Sequence, residues 1–277
     1  MEEIIKKAGV LIEALPYMRE FSGKTFVIKY GGKAMIDKAL KNSVVQDIVL
    51  MKYIGINPVV VHGGGPEITA AMEKAGLKAK FVNGRRVTDK ATMEIVEAVL
   101  AGKTNKEIVR MFNIHGGKAK GLSGKDGRLL VTEMLDAALG FVGKIVKVNA
   151  GELEKHRDSI PVIAPIGIGR DGNSYNINAD DAAASLAVAV NAEKLILITD
   201  VSGVIHKKAL VHSISMKKTK QMIKDEVITG GMIPKVHSCM TAIAGGVKKA
   251  HIINGTVKHS LLLEIFTKTG IGTEIIK

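Results

Sequence analysis

A single cysteine, Cys239, stands in 277 residues, so no disulfide can form within the chain. So little cysteine fits a reducing compartment, and the cytoplasm is the expected location. Tryptophan is absent and aromatic residues reach only 4%. That scarcity excludes an aromatic core and argues against the stacking platforms that hold single-stranded nucleic acid. Proline is sparse, with 6 residues, and no low-complexity tract, linker or internal repeat interrupts the chain. No apolar run approaches the roughly 20 residues of a membrane-spanning helix. The first residues, Met-Glu-Glu-Ile-Ile-Lys-Lys, are charged and lack the apolar stretch of a secretory signal. No membrane association is expected.

What is present is aliphatic. Hydrophobic residues make up 46% and glycine contributes 30 positions, enough for a large core of Val, Ile, Leu, Ala and Met cut by tight turns. The formal charge of +13 raises the question of nucleic acid. The basic residues are scattered, and no helix-turn-helix, zinc or ribonucleoprotein signature accompanies them. The excess is therefore read as solvated surface together with an anionic-substrate site, with no nucleic-acid partner.

Along the chain, short apolar runs alternate with helical patterns. Residues 4–19 read as a helix, ended by Ser22-Gly23. Residues 24–30 (KTFVIKY) read as a buried strand that stops at Gly31-Gly32. Residues 37–54 look helical, and residues 58–62 (PVVVH) form a strand ahead of Gly63-Gly64-Gly65-Pro66. Pro66 suits a first helical turn. Residues 121–150 hold short runs with Gly-rich turns, expected as antiparallel hairpins. Residues 161–166 read as another strand. Asn178 is a candidate N-cap for an Ala-rich helix with Asp180 and Asp181 in its first turn. Residues 194–199 (KLILIT) are a further buried strand, followed by helices near 216–225 and 234–244 and a strand near 249–253. The expected fold is α/β: a mostly parallel open sheet sandwiched between helices, with antiparallel hairpins. Ligands then belong at the carboxyl ends of the strands.

Three glycine clusters fall at such ends or before helices: Gly31-Gly32, Gly63-Gly64-Gly65 and Gly230-Gly231. Glycine lets backbone amides approach phosphate oxygens, and a helix start adds partial positive charge. Singly, each cluster is as readily an ordinary turn. Beside Lys29, Lys33 and Lys235, the three together favour phosphate. Lys29 sits inside an apolar strand and needs an anion, unless it snorkels from a sheet edge. Lys235 opposes the dipole at a helix start, which a bound phosphate would offset. Two familiar motifs fail. Gly102-Lys103-Thr104 lacks the P-loop's earlier glycine, because position 97 is Glu97. The run 167–172 (GIGRDG) matches a dinucleotide pattern, but a hairpin-like Asn173-Ser174-Tyr175-Asn176 follows it instead of a helix. The eight histidines show no paired spacing for zinc, no metal ligands are expected, and His62 is read as a satisfied core residue.

Six runs, in order, carry a resemblance: Lys29-Tyr30-Gly31-Gly32; 61–66 (VHGGGP); 82–89 (VNGRRVTD); 121–127 (GLSGKDG); 175–180 (YNINAD); and 230–236 (GGMIPKV). Together they resemble the acetylglutamate kinases of the amino acid kinase family over essentially the whole chain. The resemblance implies ATP with Mg²⁺, and phosphoryl transfer to the side-chain carboxylate of N-acetyl-L-glutamate, a step of arginine biosynthesis. It implies that Lys29 and Lys235 stabilise the moving phosphoryl group and that Asp180 holds them. Gly64 and Gly65 would offer amides to the substrate, Arg86 would pair with its α-carboxylate, and Asn176 would bind its acetylated amino end. Gly31, Gly32, Thr199, Asp200 and Ser202, with the two lysines, would lie along the nucleotide. Residues 24–175 would hold the acid substrate and 176–277 the nucleotide, with 1–22 as a helical extension. That extension resembles the one in hexameric members that arginine inhibits, so a homo-oligomer, dimer or hexamer, and L-arginine feedback are expectations.

Two departures stand out. Position 85 is Arg where an apolar residue is usual, and the stretch after Val204 lacks an Asp-Pro-rich loop. The competing readings are a sibling kinase for another acid, such as glutamate, aspartate or an aminoadipate derivative, and a non-catalytic regulator that binds nucleotide or arginine. Arg86 with Asn176 favours an N-acylated acid, and the two lysines argue against a regulator.

Overall fold

The computed structural model describes residues 1–277, apart from the side chains of Glu3, Ile4, Lys6, Lys7 and Ala8. The strands, in chain order, begin with β1 (Thr25–Tyr30), β2 (Asn57–His62), β3 (Phe81–Val82), β4 (Arg85–Arg86), β5 (Ala119–Ser123), β6 (Leu130–Met134), β7 (Gly143–Val148) and β8 (Ile160–Ala164). They continue with β9 (Ile166–Gly169), β10 (Ser174–Asn176), β11 (Lys194–Thr199), β12 (Ile205–His206), β13 (Ala209–Leu210), β14 (Ser213–Ser215), β15 (Lys249–Asn254) and β16 (Thr273–Ile276). An eight-stranded sheet runs β14-β16-β15-β11-β1-β2-β8-β5, and all its pairs are parallel except β15 with β16. The central strands are apolar on both faces because both faces are covered.

The helices are α1 (Glu2–Phe21), α2 (Lys38–Tyr53), α3 (Gly65–Lys74), α4 (Lys90–Glu97), α5 (Asn105–Ile114), α6 (Gly151–Glu154), α7 (Ala179–Ala189), α8 (Met216–Lys224), α9 (Met232–Ala244) and α10 (Ser260–Ile265). Strand alternation sorts the core into two layers. Phe26, Ile28 and Tyr30 of β1 pack with α2, α5 and α10, whereas Val27 packs with the alanines of α7 and with Val236 and Cys239 of α9. Lys29 shares the parity of Val27, so the chain's alternation alone sends it toward α7. The Asp37 and Asn178 side chains accept from backbone amides at the starts of α2 and α7, as caps should.

Two expectations change. The segment 121–150 is antiparallel only in part: β5 is a parallel edge strand of the main sheet, whereas β6 pairs antiparallel with β7 in a second sheet ordered β10-β9-β6-β7, where β9 and β10 are antiparallel too. The strand expected over 161–166 is two strands in different sheets, β8 and β9, divided at Pro165. Proline has no N–H for a ladder bond, and its carbonyl instead accepts from Ile177 N at 3.0 Å. No helix among the described residues is long and apolar enough to cross a membrane.

Candidate active site

β1, β2 and β11 end side by side at Tyr30, His62 and Thr199, and the glycine loops follow the first two. Beyond these ends lies a cavity of about 230 Å³ lined by Lys29, Gly31, Gly32, the Gly63-Gly64-Gly65 strip, Asp180 and Lys235. Lys29 reaches Asp180 Oδ1 at 3.2 Å, and Lys235 donates to Oδ2 at 2.9 Å. Their side chains are 12% and 21% exposed, and that of Asp180 is 8%. The buried lysine therefore has its anion, and the edge-snorkelling alternative is excluded.

The charges in this triad push against one another. Burial holds the Lys29 ammonium below its ordinary range, partly offset by Asp180, while the nearby Lys235 charge lowers it further. Burial pushes the Asp180 carboxyl up, but Lys29 and then Lys235 outweigh it and keep Asp180 below the usual carboxylate range. One carboxylate thus fixes two cations that point into one cavity.

Gly32 has φ +72, and its open side lies against the Asp200 carboxylate, so a side chain there would meet both strain and collision. Asp200 Oδ1 accepts from Lys33 N at 2.5 Å, tying the end of β11 to the first glycine loop. Thr199, buried at the end of β11, takes Gly255 N on its carbonyl at 2.8 Å, and Ser202 is exposed in the loop beyond. Thr199, Asp200 and Ser202 stand along this edge, outside the lining of the cavity that holds the lysines. The stretch after Val204 forms the short hairpin of β12 and β13.

A second cavity of about 180 Å³ adjoins the first across the shared Gly63-Gly64-Gly65 strip and is lined by Arg86, Asn176, Phe81 and Leu100 among others. Leu100 belongs to a π-helical stretch, Ala98–Thr104, and packs against Gly64 where any side chain would sit. Arg86 is 7% exposed. Its guanidinium donates to Gly65 O at 3.0 Å, Thr69 Oγ1 at 2.8 Å and Met72 Sδ at 3.2 Å, and it lies 4.7 Å from the centre of the Phe81 ring. Burial lowers its pKa, and no carboxylate pairs with it among the described residues. Asn176 Nδ2 donates to Thr88 Oγ1 at 3.2 Å, and Thr88 Oγ1 donates to Arg86 O at 2.8 Å. In sequence Thr88 is one residue of the run 82–89 with no task of its own. Its place between Arg86 and Asn176 shows one, and no local pattern would have revealed it.

His62 is a core residue as expected. It is fully buried, its Nδ1 donates to Gly63 O at 2.7 Å, and its Nε2 accepts from Asn105 Nδ2 at 3.3 Å. Burial pushes its pKa down to about 4, so the ring is neutral. Gly102-Lys103-Thr104 lies in the π-helical stretch rather than in a phosphate loop.

A parallel sheet with two joined cavities at its carboxyl edge, one ringed by paired ammonium groups and the other by an unpaired guanidinium, defines an enzyme for anionic small molecules. The profile described as the amino acid kinase family matches residues 24–254, and the chain belongs to that family. It is 56% identical to "Acetylglutamate kinase" of Caldanaerobacter subterraneus subsp. tengcongensis over 99% of this chain and 94% of that one. It is 54% identical to the "Acetylglutamate kinase" of Geobacter sulfurreducens, covering 99% of each. Among solved structures, N-acetylglutamate synthase from Neisseria gonorrhoeae, complexed with coenzyme A and N-acetyl-glutamate, superposes with a TM-score of 0.85 at 26% identity. The match covers 98% of this chain but 63% of that longer one. Carbamate kinase from Giardia lamblia bound to AMP-PNP shares the fold, with a TM-score of 0.66 at 18% identity, over 92% of this chain and 99% of that one.

Proposed function

We propose that this kinase transfers the γ-phosphoryl group of ATP to the side-chain carboxylate of N-acetyl-L-glutamate, giving N-acetylglutamyl 5-phosphate, a step of arginine biosynthesis. One observation carries the reading: a buried guanidinium without a carboxylate partner among the described residues, Arg86, faces the same glycine strip as two ammonium groups fixed on Asp180. A substrate with a carboxylate at one end and a phosphoryl acceptor at the other spans those two features. The acetylglutamate kinases at 54–56% identity support the choice of acid.

In this mechanism Arg86 takes the α-carboxylate as a planar fork, and Asn176 takes the acetamido group. Gly64 and Gly65 present backbone to the acceptor carboxylate and the moving group. The acceptor is ionised at pH 7, so its oxygen attacks the γ-phosphorus without a general base. The β,γ-bridging oxygen leaves with ADP. Lys29 and Lys235 neutralise the spread of negative charge, and Asp180 holds both in register. Gly31, Gly32, Thr199, Asp200 and Ser202 serve the nucleotide side. Mg²⁺ would accompany the nucleotide, bound through its phosphates. It would supply charge neutralisation, held mainly by phosphate and water.

In this reading residues 24–175 serve the acid substrate and 176–277 the nucleotide, and the enzyme works in the cytoplasm, where one buried thiol stays reduced. Exposed Val10, Leu11, Ile12 and Leu15 on α1 support assembly of a homo-oligomer through that helix. The N. gonorrhoeae synthase is also described in complex with L-arginine, which supports arginine as a feedback ligand here. The deciding assay follows ADP release with N-acetylglutamate, free glutamate or aspartate as acceptor. N-acetylglutamate should be used at least a hundredfold better in kcat/KM; equal use of free glutamate would overturn the substrate assignment.

A further inference from the structure

Arg85 stands where an apolar residue was expected, and the structure gives it a partner. β3 and β4 form a two-residue hairpin whose tip, Asn83 and Gly84, has φ of 49° and 75°, the signature of a tight turn between twisted strands. Successive strand residues face opposite sides. Arg86 accordingly points to α3, where Thr69 and Met72 take it, while Arg85 points to α7 and donates to Asp181 Oδ2 at 2.7 Å, across 96 positions of chain. The hairpin has little apolar anchorage of its own: Phe81 is 57% exposed and Val82 48%. Backbone bonds at its base, Val87 N to Lys80 O at 2.9 Å and Thr88 N to Leu139 O at 2.9 Å, leave the tip to its side chains.

Asp181 has a second partner. Its Oδ1 accepts from Ser238 Oγ at 2.9 Å, on α9, three residues beyond Lys235. Its own neighbour on α7 is Asp180, which holds both lysines. A polar chain, Arg85–Asp181–Ser238, thus joins the hairpin that overhangs the Arg86 cavity to both helices that shape the lysine cavity.

We infer that the Arg85–Asp181 ion pair is a latch that holds the β3–β4 hairpin over the acid-substrate cavity, so that Arg85 is a positioning residue for Arg86 and not a catalytic one. The inference rests on the substrate reading above and deepens it. The side chains are 30% and 40% exposed, so the effect belongs to the range of surface pairs and its loss should change substrate affinity about two- to fivefold. The effect must fall on KM for the acid rather than on the chemical step, because Arg85 borders the Arg86 cavity and neither residue borders the cavity that holds Lys29 and Lys235.

The test is a double-mutant cycle with Arg85→Leu, Asp181→Asn and the pair together. Asparagine keeps an acceptor for Ser238. Each single change should raise KM for N-acetylglutamate about two- to fivefold, leaving kcat and KM for ATP within twofold, and the double variant should be no worse than the poorer single one. In ligand-free protein, Arg85→Leu should also speed hydrogen exchange of the amides at 81–86. Multiplicative KM effects, a fall in kcat instead of a rise in KM, or unchanged exchange would each overturn the latch. If the wild type does not phosphorylate N-acetylglutamate, the substrate reading fails by itself, and the exchange experiment still decides whether the pair restrains the hairpin.

Discussion

Replacing Asp180 by asparagine keeps the shape of the side chain and removes the charge that two ammonium groups share. Lys29 stands 3.2 Å and Lys235 2.9 Å from its oxygens, in surroundings where Asp180 is 8% and Lys29 12% exposed. Removing one partner of a buried pair typically costs about 3–5 kcal/mol, because the other charge is left without compensation. Lys235 is 21% exposed and can swing toward water, so the low end applies, about 3 kcal/mol. In a protein of this size that is a fall of roughly 6–10 °C in Tm. Turnover should fall further in proportion, about 10²–10³-fold in kcat, as the loss of preorganised charge stabilisation does elsewhere. The pH dependence has a definite sign. Burial already depresses the Lys29 pKa, and Asp180 is the main force raising it. Without Asp180 the pKa drops again, so above it the folded variant carries fewer protons than its unfolded chain. Stability then rises with pH relative to the wild type, over the range from the variant's lowered value up to the wild type's own, less depressed value. Thermal unfolding of both proteins at pH 7 and pH 9 checks this. A variant that matches the wild type at pH 7, or whose deficit widens at pH 9, would refute the assignment of Asp180 as the common counter-ion.

Two other changes test separate parts of the molecule. Arg86→Lys keeps the charge and loses the planar fork held by Gly65, Thr69 and Met72. It should cost about 1.5–3 kcal/mol in kcat/KM for N-acetylglutamate, with KM for ATP unchanged, in a steady-state assay varying each substrate. Asp47 lies buried on α2 against His259 Nδ1 at 2.6 Å, and burial, partly offset by that histidine, pushes its pKa up to about 6. A carboxyl raised above its unfolded value favours the protonated folded state, so its contribution to stability is lost as pH climbs from about 4 through about 6. Unfolding curves should show the wild type losing up to about 3 kcal/mol relative to Asp47→Asn between pH 4 and pH 7; parallel pH profiles would refute it.

Much of the site was legible because it depends on local rules. The run 24–30 announces a buried strand, and its two-residue period decides that Lys29 joins Val27 on the α7 side instead of facing α2. The glycines after β1 and β2 mark the carboxyl edge, where a parallel sheet leaves its strand ends open. The cap residues Asp37 and Asn178 mark helix starts by their own side-chain chemistry. The break at Pro165 was hidden for an equally physical reason. Both halves of the run 160–169 are apolar because both are buried, so periodicity had no polar side to lose, and only the change of sheet reveals the division.

What sequence could not supply is the pairing of groups that the fold brings together from far apart. Thr69 and Met72 are ordinary helix residues until Arg86, 17 and 14 positions on, lays its guanidinium on them. The partner of buried Asp47, His259, arrives from 212 positions away. Arg85 shows the limit most clearly. In sequence it is only an unexpected second charge beside Arg86. Neighbours on β4 face opposite sides, so Arg85 reaches Asp181 while Arg86 reaches Thr69 and Met72, although both border the same cavity. Arg86 is left without a carboxylate among the described residues, and Arg85 is held by Asp181, the residue next to the carboxylate that organises the lysines. The charge of Arg85 is thereby tied to the scaffold, and its consequence is a matter of how firmly the hairpin is held.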